Sequence, residues 1–210
     1  MTDPKPLASA AGYAEAAAAL VEQYESVSFA EVHREVLHLI PRRPAVIVDI
    51  GAGSGRDAAA LAALGHVVVA VEPTPELRSR GRILHADREI EWIDDALPGL
   101  PALRAGGRRF DLVLLTAVWM HLDALQRASA MESVAGLLAP GGHLVLTLRH
   151  GPVPAGRRMF DVSADETAEL ARGHGLDVVH RSERADLHGR DGVGWSRLGL
   201  RRQGPGVGHD

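Results

Sequence analysis

Hydrophobic positions follow two different periodicities along the chain. Residues 11–25 are alanine-rich, and residues 29–40 carry apolar side chains at helical spacing. Ser28 and Glu31 have the spacing of a capping box at the start of the second segment. We therefore expect helices over residues 11–40. Beyond them, short apolar runs alternate with helical patterns, which is typical of a sheet covered by helices.

Seven short apolar runs predict β-strands. They lie at residues 46–48, 67–71, 90–93, 112–115, 143–148, 176–180 and 194–200. The first five are apolar on both faces, as in a parallel sheet with helices on each side. The last two are joined by a connection too short for a crossover helix, so we expect an antiparallel pair. A break at residues 140–142 (PGG) is expected before the fifth strand. The predicted fold class is doubly wound α/β with N-terminal helices.

Length and composition narrow the class of protein. At 210 residues we expect a single domain, with residues 1–8 and 203–210 disordered. A formal charge of −4 gives no general attraction to nucleic acid or anionic lipid, so neither is an expected partner. The absence of cysteine excludes disulfides and thiolate metal sites, and no metal is expected. No apolar run could cross a membrane and no signal-peptide pattern is present, so we expect a cytoplasmic protein.

The strongest chemical signal is VDIGAGSG, residues 48–55, between the first strand and its helix. Glycine lets a ligand approach the backbone closely, and this crevice of an open parallel sheet binds nucleotide-like ligands. The dinucleotide fingerprint requires glycine at the sixth position counted from Gly51, where Arg56 stands instead. Asp49 precedes the glycines. An acid there suits an ammonium or sulfonium group and would repel a pyrophosphate.

Acidic residues also follow the next two strands. Glu72 ends the second strand, where a carboxylate accepts hydrogen bonds from both hydroxyls of a ribose, although a solvated acid is an equal alternative. Asp94 and Asp95 follow the third strand, where one of them is placed to accept from the amine of adenine. The alternative there is an Asx turn or a helix cap. Three acidic sites after three successive strands form a combination that chance rarely produces.

With these motifs in this order, the sequence resembles the class I S-adenosylmethionine-dependent methyltransferases. The likeness runs over residues 45–148 and more loosely to residue 200. The matching segments are VDIGAGSG, residues 71–73 (VEP), 95–98 (DALP), 110–113 (FDLV) and 138–142 (LAPGG). The resemblance implies a Rossmann-like, mostly parallel seven-stranded sheet with an antiparallel last strand. It also implies S-adenosylmethionine as cofactor, with its ribose on Glu72, its adenine on Asp95 and its methionine end on the glycine loop.

The resemblance assigns roles to the segments of the chain. Residues 11–40 become a helical lid, residues 45–148 the cofactor-binding core, and residues 149–202 the acceptor-side loop, helix and final strand pair. In the lid, Tyr24 and His33 either cover the cofactor or pack in the core. The residues expected around the cofactor are Asp49, Gly51, Ala52, Gly53, Gly55, Glu72, Pro73, Asp94, Asp95, Ala96 and Thr116.

The acceptor is expected beside the carboxyl end of the fourth strand, because strand ends line the crevice. His121 has the type of pKa that suits a general base, and the alternative is a histidine that packs near the next helix. Basic residues after the fifth strand either hold a carboxylate or phosphate of the acceptor or are solvent-facing loop charges. The substrate-binding candidates are Trp119, Arg149, His150 and Arg157.

The predicted function is methyl transfer from S-adenosylmethionine to a small-molecule acceptor. The Asn-Pro-Pro-Tyr signature of enzymes that methylate nucleobase or glutamine amide nitrogens is absent, since residues 116–119 read TAVW. The acceptor, the methylated atom and the oligomeric state are left open. Two alternatives are a methyltransferase-like binding protein without turnover that regulates a partner, and a nicotinamide-dependent oxidoreductase, against which Arg56 argues.

Overall fold

The computed structural model describes residues 12–204, and its centre is one seven-stranded sheet in the order β3-β2-β1-β4-β5-β7-β6. The strands are β1 (Val46–Ile50), β2 (Val67–Val71), β3 (Ile90–Ile93), β4 (Phe110–Leu115), β5 (Leu138–His150), β6 (Leu176–Ala185) and β7 (Gly194–Arg202). Strand β7 runs antiparallel to both of its neighbours, and all other pairs are parallel. The predicted fold class, including the antiparallel last strand, is confirmed.

Helices flank both faces of the sheet. They are α1 (Ala17–Glu25), α2 (Phe29–Val32), α3 (Arg56–Ala63), α4 (Pro75–Leu84), α5 (Pro101–Ala105), α6 (Ala124–Leu137) and α7 (Ala164–Arg172). The Ser28–Glu31 capping box is present at the start of α2. The second N-terminal helix is nevertheless short, because the chain continues from Arg34 to Leu39 as a 3₁₀ helix.

The core has two layers, one on each side of the sheet. Along β1, Val48 and Ile50 pack in one cluster with residues of α6 and α7, whereas Ile47 packs in the other with residues of α2 and α3. Alternate residues of a strand point to opposite faces, so a strand that is apolar throughout requires a cover on both sides. This arrangement is the doubly wound sheet that the sequence predicts.

Two expectations about the second half of the chain are wrong. Strand β5 begins at Leu138 and continues through Pro140, because the pairing with β4 shifts register between Phe110 and Leu112. Such a bulge accommodates a residue that cannot donate to the ladder. Gln203, expected to be disordered, donates its backbone N–H to the carbonyl of Gly175 (3.1 Å). Of the other residues predicted to be disordered, 1–8 and 205–210 lie outside the described residues.

Within residues 12–204, no helix has both the length and the apolar character needed to span a bilayer. The same part of the chain contains no group of three or more His, Cys, Asp or Glu side chains arranged to hold a metal ion.

Candidate cofactor and acceptor site

A cavity of about 360 Å³ lies where the carboxyl ends of β1, β2, β4 and β5 meet the N-terminal helices and the β6–β7 connection. Most residues predicted from the sequence line it, namely Asp49, Gly51, Ala52, Gly53, Glu72, Pro73, Asp95, Ala96, Thr116, His121, Arg149 and Arg157. The predicted residues outside its lining are Gly55, Asp94, Trp119 and His150. The structure therefore brings most of the predicted cofactor and acceptor residues together.

The glycine loop requires glycine for two different reasons. Gly51 has φ +77°, and a Cβ built on it would lie 2.4 Å from Cγ2 of Val118 across the cavity mouth. Gly55 has φ +85°, but its Cβ would instead meet the ring of Trp92 at 2.7 Å. Positive φ disfavours side chains at both positions. Gly51 therefore shapes the cavity, while Gly55 permits close packing of the helix that follows.

Glu72 is buried at the end of β2 and binds the glycine loop directly. Its Oε2 accepts from the N–H of Gly53 (2.9 Å), and its Oε1 accepts from the N–H of Thr74 (2.8 Å). Burial raises the pKa of Glu72, although the hydrogen bonds from Thr74 and Gly53 oppose the rise. Each carboxylate oxygen keeps a further lone pair for a ligand hydroxyl. The arrangement fits a ribose.

The two aspartates after β3 point in different directions. Asp95 is buried, and its carboxylate accepts from the N–H groups of Ala96 and Leu103 (both 2.9 Å). The Asp94 side chain is 66% exposed and pairs with Arg78 (2.7 Å). Successive residues of an extended chain project to opposite sides. The prediction of Asp94 as a cavity residue is therefore wrong, whereas Asp95 and the N–H of Ala96 remain at the cavity edge.

A further buried acid of the cavity, Asp57, was missed as a site residue. Its Oδ2 accepts from Nε2 of His33 (2.7 Å) and from Oγ1 of Thr116 (3.0 Å), and its Oδ1 accepts from Nε of Arg56 (2.7 Å). Burial opposes ionisation here, but His33 and Arg56 hold the pKa of Asp57 below its usual range. The only signal in the sequence is an acid in the first turn of the glycine helix, where acids are common.

Asp49 lacks comparable cationic partners. It is 2% exposed, and burial together with the charge of Asp57 raises its pKa well above the usual range. A buried carboxylate of this kind is stabilised by a positively charged ligand. The acid end of the cavity therefore fits a sulfonium or ammonium group, and with the glycine cradle and Glu72 it fits S-adenosylmethionine.

His121 lies in a short 3₁₀ helix, Trp119–His121, directly after β4. Its Nδ1 is 2.7 Å from the carbonyl oxygen of Arg158, which only accepts, so Nδ1 carries the proton. In the neutral ring, Nε2 then accepts from the hydroxyl of Tyr13 (2.9 Å). Burial, with smaller contributions from Arg157 and Arg149, lowers the pKa of His121. The lowered pKa favours the neutral imidazole, whose unprotonated Nε2 faces Tyr13 in the cavity.

Trp119 and His150 are wrongly predicted as acceptor contacts. Trp119 is fully buried in the core, because a 3₁₀ helix points residues two apart in different directions. His150 bonds to Oγ of Ser196 (2.7 Å) outside the cavity. It follows Arg149 on the same strand, and neighbours along a strand face opposite sides. Arg149 therefore takes the cavity side.

Several further residues line the cavity, some of them from the N-terminal segment that was predicted to form a lid. Tyr13 and Tyr24 enter from the N-terminal region, and Tyr24 lies close enough to the glycine loop that a Cβ on Gly53 would be 3.1 Å from its ring. His33 instead lies in the interior. The β6–β7 hairpin contributes Arg184, Asp186, Leu187, His188, Arg190 and Trp195.

Comparison with known proteins agrees with this geometry. A protein-family profile described as "Methyltransferase domain" matches residues 21–181. The ubiquinone biosynthesis O-methyltransferase of Cereibacter sphaeroides is 30% identical over 172 residues, which cover 72% of this chain and 68% of that protein.

Solved structures show the same fold. A Burkholderia thailandensis 1,6-didemethyltoxoflavin-N1-methyltransferase, with bound 1,6-didemethyltoxoflavin and S-adenosylhomocysteine, aligns with TM-score 0.61 at 22% identity over 96% of this chain and 93% of its own. The magnesium protoporphyrin IX methyltransferase of Synechocystis with bound S-adenosylmethionine aligns with TM-score 0.64 at 14% identity, covering 96% and 87%. The chain belongs to the methyltransferase-domain family and is a class I S-adenosylmethionine-dependent methyltransferase.

Proposed function

We propose that this enzyme methylates a hydroxyl oxygen of a small aromatic molecule and that His121 is the general base. The matched relative from Cereibacter sphaeroides is an O-methyltransferase of a small-molecule pathway, which supports oxygen as the acceptor atom. The observation that carries the proposal is the hydrogen bond of Tyr13 to Nε2 of His121 inside the cavity. A positioned base is required when the methylated group must lose a proton, as a hydroxyl does.

The cofactor side of the proposal rests on residues of three strand ends. Glu72 accepts from the ribose hydroxyls, Asp95 accepts from the adenine amine, and Asp49 lies towards the positive charge. When bound, S-adenosylmethionine supplies a methyl group already activated on a sulfonium sulfur. The protein therefore has to position the acceptor, exclude water and take up one proton.

The proton leaves through the pair formed by Tyr13 and His121. In this proposal the acceptor hydroxyl gives its proton to the Tyr13 oxygen, while the proton of Tyr13 moves to Nε2 of His121. The guanidinium of Arg157 lies 3.6 Å from the centroid of the Tyr13 ring. This cation stabilises negative charge that develops on the phenol oxygen during the transfer. The carbonyl of Arg158 fixes the imidazole in the required tautomer.

Replacing His121 with asparagine tests the proposal. Asparagine retains a donor for the Arg158 carbonyl but removes the basic nitrogen that contacts Tyr13. With S-adenosylmethionine and a panel of hydroxylated aromatic acids, we expect formation of S-adenosylhomocysteine to slow by about 10²–10⁴-fold. Affinity for S-adenosylhomocysteine, measured by calorimetry, should stay in the micromolar range, roughly −7 to −9 kcal/mol.

His150→Asn is the matched control, because His150 lies outside the cavity and bonds to Ser196. It should retain wild-type turnover. Wild-type turnover in His121→Asn would remove His121 from the reaction. Cofactor binding without methyl transfer to any hydroxylated acceptor of the panel would contradict oxygen as the acceptor atom.

Three further features remain proposals. We propose that the chain forms one methyltransferase domain in which the N-terminal helices act as a lid over the cavity. The position of Tyr24 against the glycine loop supports this role. We also propose a cytoplasmic location and a small-molecule partner, without nucleic acid, in line with a formal charge of −4.

A further inference from the structure

Three arginines at the acceptor end of the cavity form no salt bridge with any residue of the described part of the chain. Arg149 is 9% exposed, and its Nε is buried without a hydrogen-bond partner among the described residues. Three further guanidinium atoms are also buried without a hydrogen-bond partner among these residues. They are Nη1 of Arg157 and Nε and Nη1 of Arg184. Arg190, by contrast, pairs with Asp186 (2.6 Å). A buried guanidinium without a counter-charge is costly, so the cluster has the chemistry of an anion site.

The sheet register explains why these side chains converge. Arg149 on β5 is the Cα partner of Trp195 on β7, which in turn is the Cα partner of Arg184 on β6. Partners on adjacent strands project from the same face, so the two guanidinium groups flank the indole on the cavity side. Arg157 enters from the loop after β5 and stacks on Tyr13. We call Arg149, Arg157 and Arg184 the arginine subsite.

We propose that the arginine subsite binds a carboxylate of the methyl acceptor, so that the substrate is an aromatic hydroxy acid. This inference rests on the proposed function and names its substrate class. Guanidinium groups match a carboxylate bidentately, and Trp195 and Tyr13 offer aromatic faces to a flat ring. Arg157 and Arg149 both lie close enough to His121 to lower its pKa, so the arginine subsite adjoins the proposed base.

The other source of a carboxylate is the methionine end of the cofactor. The sheet order places β6 four strands from β1, and strands are spaced by ~4.8 Å, so Arg184 originates roughly 19 Å from the glycine loop. Beside the loop lie the acids Asp49 and Asp57, and the adjoining cation Arg56 is already paired with Asp57 (2.7 Å). The arginine subsite extends to the edge of the sheet farthest from the glycine loop, so it matches a carboxylate of the acceptor better than the carboxylate of the cofactor.

Matched pairs of acids and amides test the proposal. The probes are 4-hydroxybenzoate with 4-hydroxybenzamide and 4-hydroxycinnamate with its amide, titrated by calorimetry into enzyme saturated with S-adenosylhomocysteine. We expect at least one acid to bind about tenfold or more tightly than its amide. Arg149→Gln should weaken that acid by about 10–100-fold and leave the amide unchanged.

Arg201→Gln is the matched control, because it removes the same charge from β7 outside the cavity lining. Unchanged affinity of Arg149→Gln for S-adenosylhomocysteine shows that the variant is folded and that the arginine does not hold the cofactor. A parallel loss of that affinity would assign the arginines to the cofactor carboxylate and overturn the inference.

Equal binding of acid and amide in every pair would also overturn it, while the methyl-transfer proposal would stand. If the wild-type enzyme failed to bind S-adenosylhomocysteine at all, the proposed function and this inference would fall together. Arg184→Gln, on the less buried hairpin, should repeat the loss of acid preference and provides a second variant.

Discussion

Replacing Glu72 with alanine should weaken both cofactor binding and folding. Its two carboxylate oxygens accept from the N–H groups of Gly53 and Thr74. Hydrogen bonds to charged groups contribute about 1.5–3 kcal/mol each, and water from the adjoining cavity will replace part of the loss. We therefore expect the free energy of unfolding to fall by about 2–4 kcal/mol. If Glu72 contacted only the ribose, its replacement would leave the free energy of unfolding unchanged.

Cofactor affinity should fall through the loss of the ribose contacts. Two charge-assisted hydrogen bonds correspond to about 2–4 kcal/mol, or roughly 30-fold to 1000-fold in Kd. Urea unfolding gives a second measure of the same change. At a ligand concentration of about 100 Kd, S-adenosylhomocysteine stabilises the wild type by about 2.7 kcal/mol, whereas a variant binding 100-fold more weakly gains only about 0.4 kcal/mol.

Glu76→Ala is the control for this experiment, because Glu76 is an exposed acid in the first turn of α4. It should leave both quantities within error. If Glu72→Ala lowered affinity by less than threefold, about 0.6 kcal/mol, the placement of the ribose would be wrong. If unfolding were unchanged while affinity fell, the hydrogen bonds to the glycine loop would not hold in solution.

Three further predictions test the glycine loop, the adenine end and the base. Gly51→Ala should destabilise the fold by about 1–3 kcal/mol in thermal unfolding and abolish binding of S-adenosylhomocysteine, because of its φ of +77° and the 2.4 Å approach to Val118; wild-type affinity would refute the close approach. Asp95→Ala should lower unfolding free energy by about 1–3 kcal/mol in urea titrations, since two N–H groups lose their acceptor, whereas the exposed pair of Asp94 makes Asp94→Ala cost less than about 1 kcal/mol. Methyl transfer should rise with pH as His121 loses its proton, with the midpoint of the rise below the usual range of a histidine because burial lowers the pKa of His121; Arg157→Gln removes a smaller cause of the lowering and should move this rise to higher pH, and an unmoved pH–rate profile would exclude His121 as the titrating group.

The strands of the sheet were largely predictable, because a strand that is buried on both faces appears in the sequence as a run of apolar residues. The continuous apolar runs of β1, β2 and β4 allow few other structures. The start of β5 was not predictable, since Pro140 and Gly141 are local signals for a turn. The bulge that accommodates them depends on pairing with Phe110, some thirty residues earlier in the chain. Local pattern therefore identifies strands better than it identifies their ends.

The site was predictable by position but not by side-chain direction. Because both Asp94 and Asp95 follow the third strand, the sequence predicts both of them at the crevice. Neighbouring residues of an extended chain point to opposite sides, however, so only Asp95 faces the cavity. The same holds for Arg149 and His150 at the end of β5. Their opposite directions depend on the local path of the chain at each strand end, which a sequence pattern locates only to within a few residues.

The two ends of the cavity carry opposite charges, and the sequence predicted the acceptor end only in part, since Arg149 and Arg157 were candidates but Arg184 was not. Asp49 lies near the end of β1 and Glu72 directly follows β2, whereas the arginine subsite combines β5, the loop after it and the β6–β7 hairpin, in which β7 lies between β5 and β6. Burial raises the pKa of Asp49 at one end and lowers the pKa of Arg149 at the other. The charged form of each group is thus less stable in the cavity than it would be in water. A ligand pair that is cationic at the first end and anionic at the second relieves both costs, which makes the cavity electrostatically complementary to S-adenosylmethionine beside an acidic acceptor.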